Sequence, residues 1–302
     1  MMVTASGSAP VRLPVFRDIP VDIVRGFAIA SLVMANMTPA LLLPPAPLWF
    51  RVIASLAAPA FVIVAGMMVA LSLNGKNRPF SYVLIRGSLT LVVAALIDIF
   101  LLKWIPFCTM DVLYLIGLSL PCAWLYLMLP DKRRWSIILA ILCATPILQG
   151  MFGYAMLAPE IPVGTLWGAG NPAIPIPPLS VIIHAWFLDG YFPVFPWLAF
   201  SLFGAELGTY RWRARPAIPF RVGREGLAAL GLLLAGGFAW VIFPGPHVIR
   251  SGYVELFYPP TIGFFIAMAG FIVLLLTLLD SRETLPWSGF LVAMGEGSLF
   301  LY

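Results

Sequence analysis

Apolar positions in this chain run together into nine long stretches, residues 19–43, 48–74, 82–102, 108–129, 135–158, 178–208, 225–243, 260–280 and 287–302, parted by short segments. An α-helix rises 1.5 Å per residue and bilayer hydrocarbon is about 30 Å thick, so about 20 mostly apolar residues are needed to cross it. The pattern predicts an all-α, polytopic membrane bundle of about nine transmembrane helices. Helices are required because lipid offers no partner to a free backbone N–H or C=O. The sixth stretch is too long for one helix. Pro177 and Pro178 lead into it and Pro193 and Pro196 interrupt it, which predicts a short lead-in helix followed by the span proper. The ninth stretch, about 16 residues, gives only about 24 Å of helix. Residues 1–18 read as a cytoplasmic tail, and 19–302 as one transmembrane domain without a repeat of fixed period.

Charge adds an orientation. Cytoplasmic loops are enriched in Lys and Arg. With the N-terminus inside, 15 of the 18 basic residues fall on that side and only Arg51, Lys103 and Arg250 fall outside. The first span then serves as an uncleaved signal anchor. Composition agrees: 61% of residues are hydrophobic, 10% are charged and the mean hydropathy is +0.98, whereas soluble domains carry roughly 25% charged residues. The net charge of +5 follows from the loop bias and implies no nucleic-acid partner, since no basic and aromatic stripe forms a separate module. Cys108, Cys122 and Cys143 offer neither a disulfide framework nor metal-ligand spacing, so no metal is expected. The outer loop at 158–178 has six prolines and no Lys or Arg, which suits an extended cover over the helix ends or an inert connector.

Ionisable residues inside apolar spans are costly, so they are the candidates for function. Asp22 and Arg25 are three apart and can pair on one face of the first helix, as a structural ion pair or as part of a site. Arg86 and Glu206 belong to the same membrane side and could join them around an anionic ligand from the cytoplasm. On the outer half stand Asp98, Asp111, His184 and Asp189. A histidine titrates near neutrality and suits proton transfer to or from an amine or hydroxyl. Asp189, five residues after His184, is roughly 140° round an ideal helix, so a carboxylate partner for His184 is expected from another helix. His247, in an outer turn, reads as a solvated loop residue, and Glu296 needs a partner or a proton if its segment crosses the bilayer.

Seven blocks in order then resemble a known family: VDIVRGFAIASLVMAN at 21–36, AAPAFVIVAG at 57–66, IRG at 85–87, DVLYLIGLSL at 111–120, YFPVFPWLAFSLFGAELG at 191–208, YPPTIGFFIAMAG at 258–270 and GEGSLFLY at 295–302. The chain is similar to bacterial heparan-alpha-glucosaminide N-acetyltransferase-like proteins, within the transmembrane acyltransferases. The resemblance implies transfer of an acyl group, commonly acetyl, from cytoplasmic acyl-CoA to an amine or hydroxyl of an envelope sugar or lipid-linked glycan. It places the protein in the bacterial inner membrane. Arg25 and Arg86 match the family's Arg-Gly motifs and would hold the donor with Asp22, with Asn36 lining the tunnel. His184 would be the base, and Asp98, Asp111, Asp189 and Glu206 accessory.

The departures concern catalysis. Where many relatives carry Asp-His the chain has Ala35 and Asn36, a mid-span carboxylate gives way to Ala94 with Asp98 one turn later, and a His-Asn pair is replaced around Ala144 and Thr145. Relatives also continue past the position of Tyr302, so the sequence reads as a fragment or as an early end. These losses leave an alternative open: a non-catalytic protein of the same fold, serving as a homo-oligomeric or complex-forming membrane subunit or scaffold.

Overall fold

The computed structural model describes residues 18–41, 46–154, 159–167, 176–214, 217–243, 255–282 and 288–296. Among these it is helical and without a named strand. Ten α-helices follow one another: α1 Ile19–Leu41, α2 Leu48–Ala70, α3 Phe80–Ile97, α4 Val112–Leu127, α5 Asp131–Phe152, α6 Leu179–His184, α7 Val194–Arg211, α8 Arg224–Ile242, α9 Ile262–Asp280 and α10 Ser288–Glu296. Prolines set several starts: Pro47, Pro79, Pro130, Pro178 and Pro193 each precede a first turn, where a missing N–H costs nothing.

Among the described residues six helices are long and apolar enough to cross a membrane, and the bent pair Leu179–Asp189 with Val194–Arg211, turned by 45°, makes a seventh if it is one span. The protein is therefore an integral membrane bundle. The sixth stretch has the form its prolines predict, a lead-in helix and then the span. The fourth expected span is a 16-residue helix. The ninth is described over nine residues, so the expected count of nine exceeds the six or seven that meet the length and hydropathy requirement.

The centre of the bundle is α2 packed on α7. Their backbones touch: a Cβ on Gly66 would lie 1.9 Å from the Ser201 carbonyl oxygen, and one on Gly204 1.9 Å from that of Ile63. Only glycine permits this approach. Around the contact lie Val62, Ile63, Met67, Trp197 and Phe200, all buried. By contrast α5 and α8 bury only 17% of their apolar windows, against 67% for α2, and present the rest outward as lipid-facing helices do.

One ionic knot ties three helix ends. Arg211, at the last turn of α7, donates Nε and Nη2 to Asp18 at 2.6 and 2.8 Å, and Nη1 and Nη2 to Asp280 at 2.7 and 2.8 Å. Trp212 Nε1 and the Phe220 N–H complete the two carboxylates. Every oxygen has a donor, which is what a buried charge cluster requires. At the opposite end, residues 103–105 pair with 161–163, with Ile105 N–H donating to the Ile161 carbonyl at 2.7 Å and Val163 N–H to Lys103 at 2.8 Å. Glu160 accepts from the Tyr191 hydroxyl. The described part of the proline-rich loop thus lies over the helix ends; the remainder, His247 and the Glu296 side chain lie outside the described residues.

Candidate functional site

α1 and α4 both pack on α2, and α3 packs on α4, while α2 and α3 stand apart across a gap. The gap is a cavity of about 180 Å³. α2 lines it with Phe61, Val64, Ala65, Met68 and Val69 and the π-helical turn after it, Leu71–Gly75, with Ser72; α3 supplies Tyr82, Val83, Arg86, Thr90, Val93 and Ile97, and α4 Leu113, Ile116 and Leu120; Arg25 enters from α1. On α3 these positions recur every three or four residues, so one helical face supplies them.

Two arginines mark one end. Arg25 donates Nη1 to the Gly295 carbonyl at 3.0 Å and Nη2 to Asp22 at 3.3 Å, and rests on Met68 Sδ at 3.5 Å. Asp22 thus orients Arg25 within one helix. Arg86 is exposed, donates to the Tyr82 hydroxyl at 3.2 Å, and has its guanidinium 5.8 Å from that ring, which Arg78 approaches at 5.1 Å. Two cations around one aromatic ring, with no carboxylate paired to either among the described residues, make this mouth an anion-attracting surface.

At the other end Asp98 opens a π-helical turn, Asp98–Leu102. Its Oδ2 accepts from the Tyr114 hydroxyl at 2.5 Å. Tyr114 also accepts from the Phe107 N–H at 3.3 Å, and Trp186 Nε1 donates to the Phe107 carbonyl at 2.9 Å. Phe107, Tyr114 and Trp186 thus form one aromatic layer. Two residues before Trp186 is His184, whose Nδ1 lies 3.5 Å from Asp189 Oδ2. The partner of His184 is therefore local, contrary to the expectation from an ideal helix. The reason is a second π turn, Ala185–Asp189, closed by Gly190 N–H on the Ala185 carbonyl at 2.8 Å. Such a turn bonds i to i+5, which brings residues five apart onto one face. Asp189 is buried and His184 Nε2 has no hydrogen-bond partner among the described residues. Tyr154 lies near this pair; burial, then the charge of Asp189, push its hydroxyl above the ordinary range.

The other sequence candidates go elsewhere. Asp111 caps α4, accepting from Val112 N–H at 2.7 Å. Glu206 lies 3.7 Å from Arg134 and lines no part of the cavity, so it does not join Arg86. Asn36 is on an exposed face of α1, also outside the lining. No group of three metal-ligating side chains is present among the described residues. Sequence reading passed over Tyr82 and Tyr114. The signal was available, since a tyrosine in an apolar span must find a partner for its hydroxyl.

No curated protein matches the chain. The family model described as heparan-alpha-glucosaminide N-acetyltransferase, catalytic, matches residues 17–236. That region contains every residue lining the cavity, the aromatic layer and the His184–Asp189 pair. The chain belongs to the heparan-alpha-glucosaminide N-acetyltransferase catalytic-domain family.

Proposed function

We propose that this protein is a membrane-bound acyltransferase of the bacterial inner membrane. It takes an acyl group, acetyl by family, from a coenzyme A thioester and passes it to an amine or hydroxyl of an envelope sugar or lipid-linked glycan. The observation that carries this reading is that Arg25 and Arg86, distant in sequence, line one end of an otherwise apolar cavity. Guanidinium groups suit phosphate, and a mostly apolar pocket with a few polar groups suits the arm of such a donor. Asp22 steadies Arg25. Ser72, Tyr82 and Thr90 supply hydroxyls along the wall. On the acceptor side, His184 with its open Nε2 holds the acceptor, and Asp189, 3.5 Å from Nδ1, orients the ring.

Calorimetric titration of the purified protein with acetyl-CoA in detergent, followed by an acetyl-transfer assay with glucosamine, tests this. Saturable binding that weakens in Arg25→Ala and Arg86→Ala is expected. His184→Ala retaining full turnover removes His184 from the chemistry. A second reading, a non-catalytic subunit of the same fold, is favoured by one fact: among the described residues no histidine lines the cavity. Absence of any acyl-CoA binding would leave that reading standing.

A further inference from the structure

The deep end of the cavity is lined by Ile97 and Leu113, and the residue after each, Asp98 and Tyr114, is polar and lies just outside that lining. Both are buried, with 3% and 0% exposure, and they share the 2.5 Å hydrogen bond. The Phe107 N–H holds the same hydroxyl from a second side at 3.3 Å, so the pair is fixed in place. Arg86 and Asp98 are twelve positions apart along α3, which is about 18 Å of helix rise. The pantetheine arm of coenzyme A has about 14 bonds between diphosphate and sulfur, or about 16 Å when extended, by the reach of an extended chain. A diphosphate held at Arg86 therefore delivers its thioester to the level of Asp98. His184 is not among the residues that line this cavity.

We infer that Asp98 is the catalytic residue that takes the acceptor's proton, and that Tyr114 is the positioning residue that aims it; the inference rests on the donor site proposed above. The acceptor nitrogen or oxygen attacks the thioester carbonyl carbon. A C–N or C–O bond forms, the C–S bond breaks, and the acceptor's proton passes to the Asp98 carboxylate. Asp98 then gives it to the departing thiolate, which releases free coenzyme A and restores the carboxylate. No further reactant is needed. Cys108, on the adjoining loop, and Asp111, at the start of α4, are the other ionisable groups whose charges couple to Asp98. Neither is hydrogen-bonded to it.

The test uses the whole protein in detergent, with acetyl-CoA as donor and glucosamine as acceptor, reading donor affinity and release of free thiol separately. Asp98→Asn is expected to slow thiol release on the order of 100-fold, the usual scale of general-base catalysis, with donor affinity within about twofold. Asp98→Glu should recover part of the rate. Tyr114→Phe should slow release about tenfold and move the acid limb of the pH profile upward, because the carboxylate loses a hydrogen bond that favours its charged form. Asp98→Cys, in a Cys108→Ser background, should form a mixed disulfide with oxidised coenzyme A. Wild-type turnover in Asp98→Asn, or no mixed disulfide despite donor binding, overturns the inference alone. A wild-type protein that does not bind acetyl-CoA overturns the donor site instead, and one that binds without releasing thiol overturns acyl transfer itself.

Discussion

Arg211 and Arg86 carry the same charge on the same bundle, and their surroundings are opposite. Arg211 is 3% exposed and spends its guanidinium on two carboxylates that are themselves capped by Trp212 and Phe220. Arg86 is exposed, touches one tyrosine and faces a cavity. Between them stand Arg134 and Arg25. Arg134 donates to the carbonyls of Leu129 and Leu127 at 2.9 and 2.8 Å at the end of α4 and pairs with Asp131 at 3.0 Å. Arg25 divides itself between Asp22, the Gly295 carbonyl and the cavity. The lesson is that a charge inside a helical bundle reveals its purpose by how completely the protein itself satisfies it. A saturated arginine holds the fold together, and an open one waits for something the protein does not contain.

If that ordering is right, stability losses should fall along the series as ligand effects rise. Arg211→Met should be the most damaging, by about 3–5 kcal/mol, because two buried carboxylates are left without a counter-charge. Thermal unfolding in detergent would show it, and adding Asp18→Asn and Asp280→Asn should recover much of the loss. Arg134→Ala should cost about 1.5–3 kcal/mol, the scale of charge-assisted hydrogen bonds, since the last carbonyls of α4 lose their partner. Its donor affinity should be unchanged. Arg25→Ala should affect both measurements: a modest fall in melting temperature, from the lost tie between α1 and α10, and weaker acetyl-CoA binding.

The helical membrane architecture was legible because nothing else can bury such stretches, and the kinked sixth span was legible from Pro193 and Pro196. The pairing of Arg25 with Asp22 followed from spacing alone. What the sequence could not show is where helices leave ideal geometry. The π turn at Ala185–Asp189 changes which residue faces His184, and a one-residue change of register carries no composition signal. Asp18 read as part of the tail, yet it anchors Arg211 across 193 positions, a contact no local pattern encodes. Glu206 and Asn36 do not line the cavity, because in an all-round apolar helix periodicity does not say which face turns inward.

Arg86 is the sharpest end of the comparison, since its substitution should leave the fold nearly untouched. It is exposed and its only polar contact among the described residues is the Tyr82 hydroxyl, so Arg86→Gln should move stability by no more than about 0.5 kcal/mol, as surface changes do. Donor affinity should nevertheless drop about tenfold, the loss of one charge-assisted contact to phosphate of about 1.4 kcal/mol. The wild-type affinity should also weaken with added salt, and the variant's should weaken less, because an exposed guanidinium is screened. Titration of both proteins with acetyl-CoA at low and high ionic strength separates this from a packing effect, which salt would not alter. Equal salt dependence in the two proteins would mean that Arg86 is an interfacial anchor like any other basic residue at a membrane boundary, and the contrast with Arg211 would then be one of burial alone.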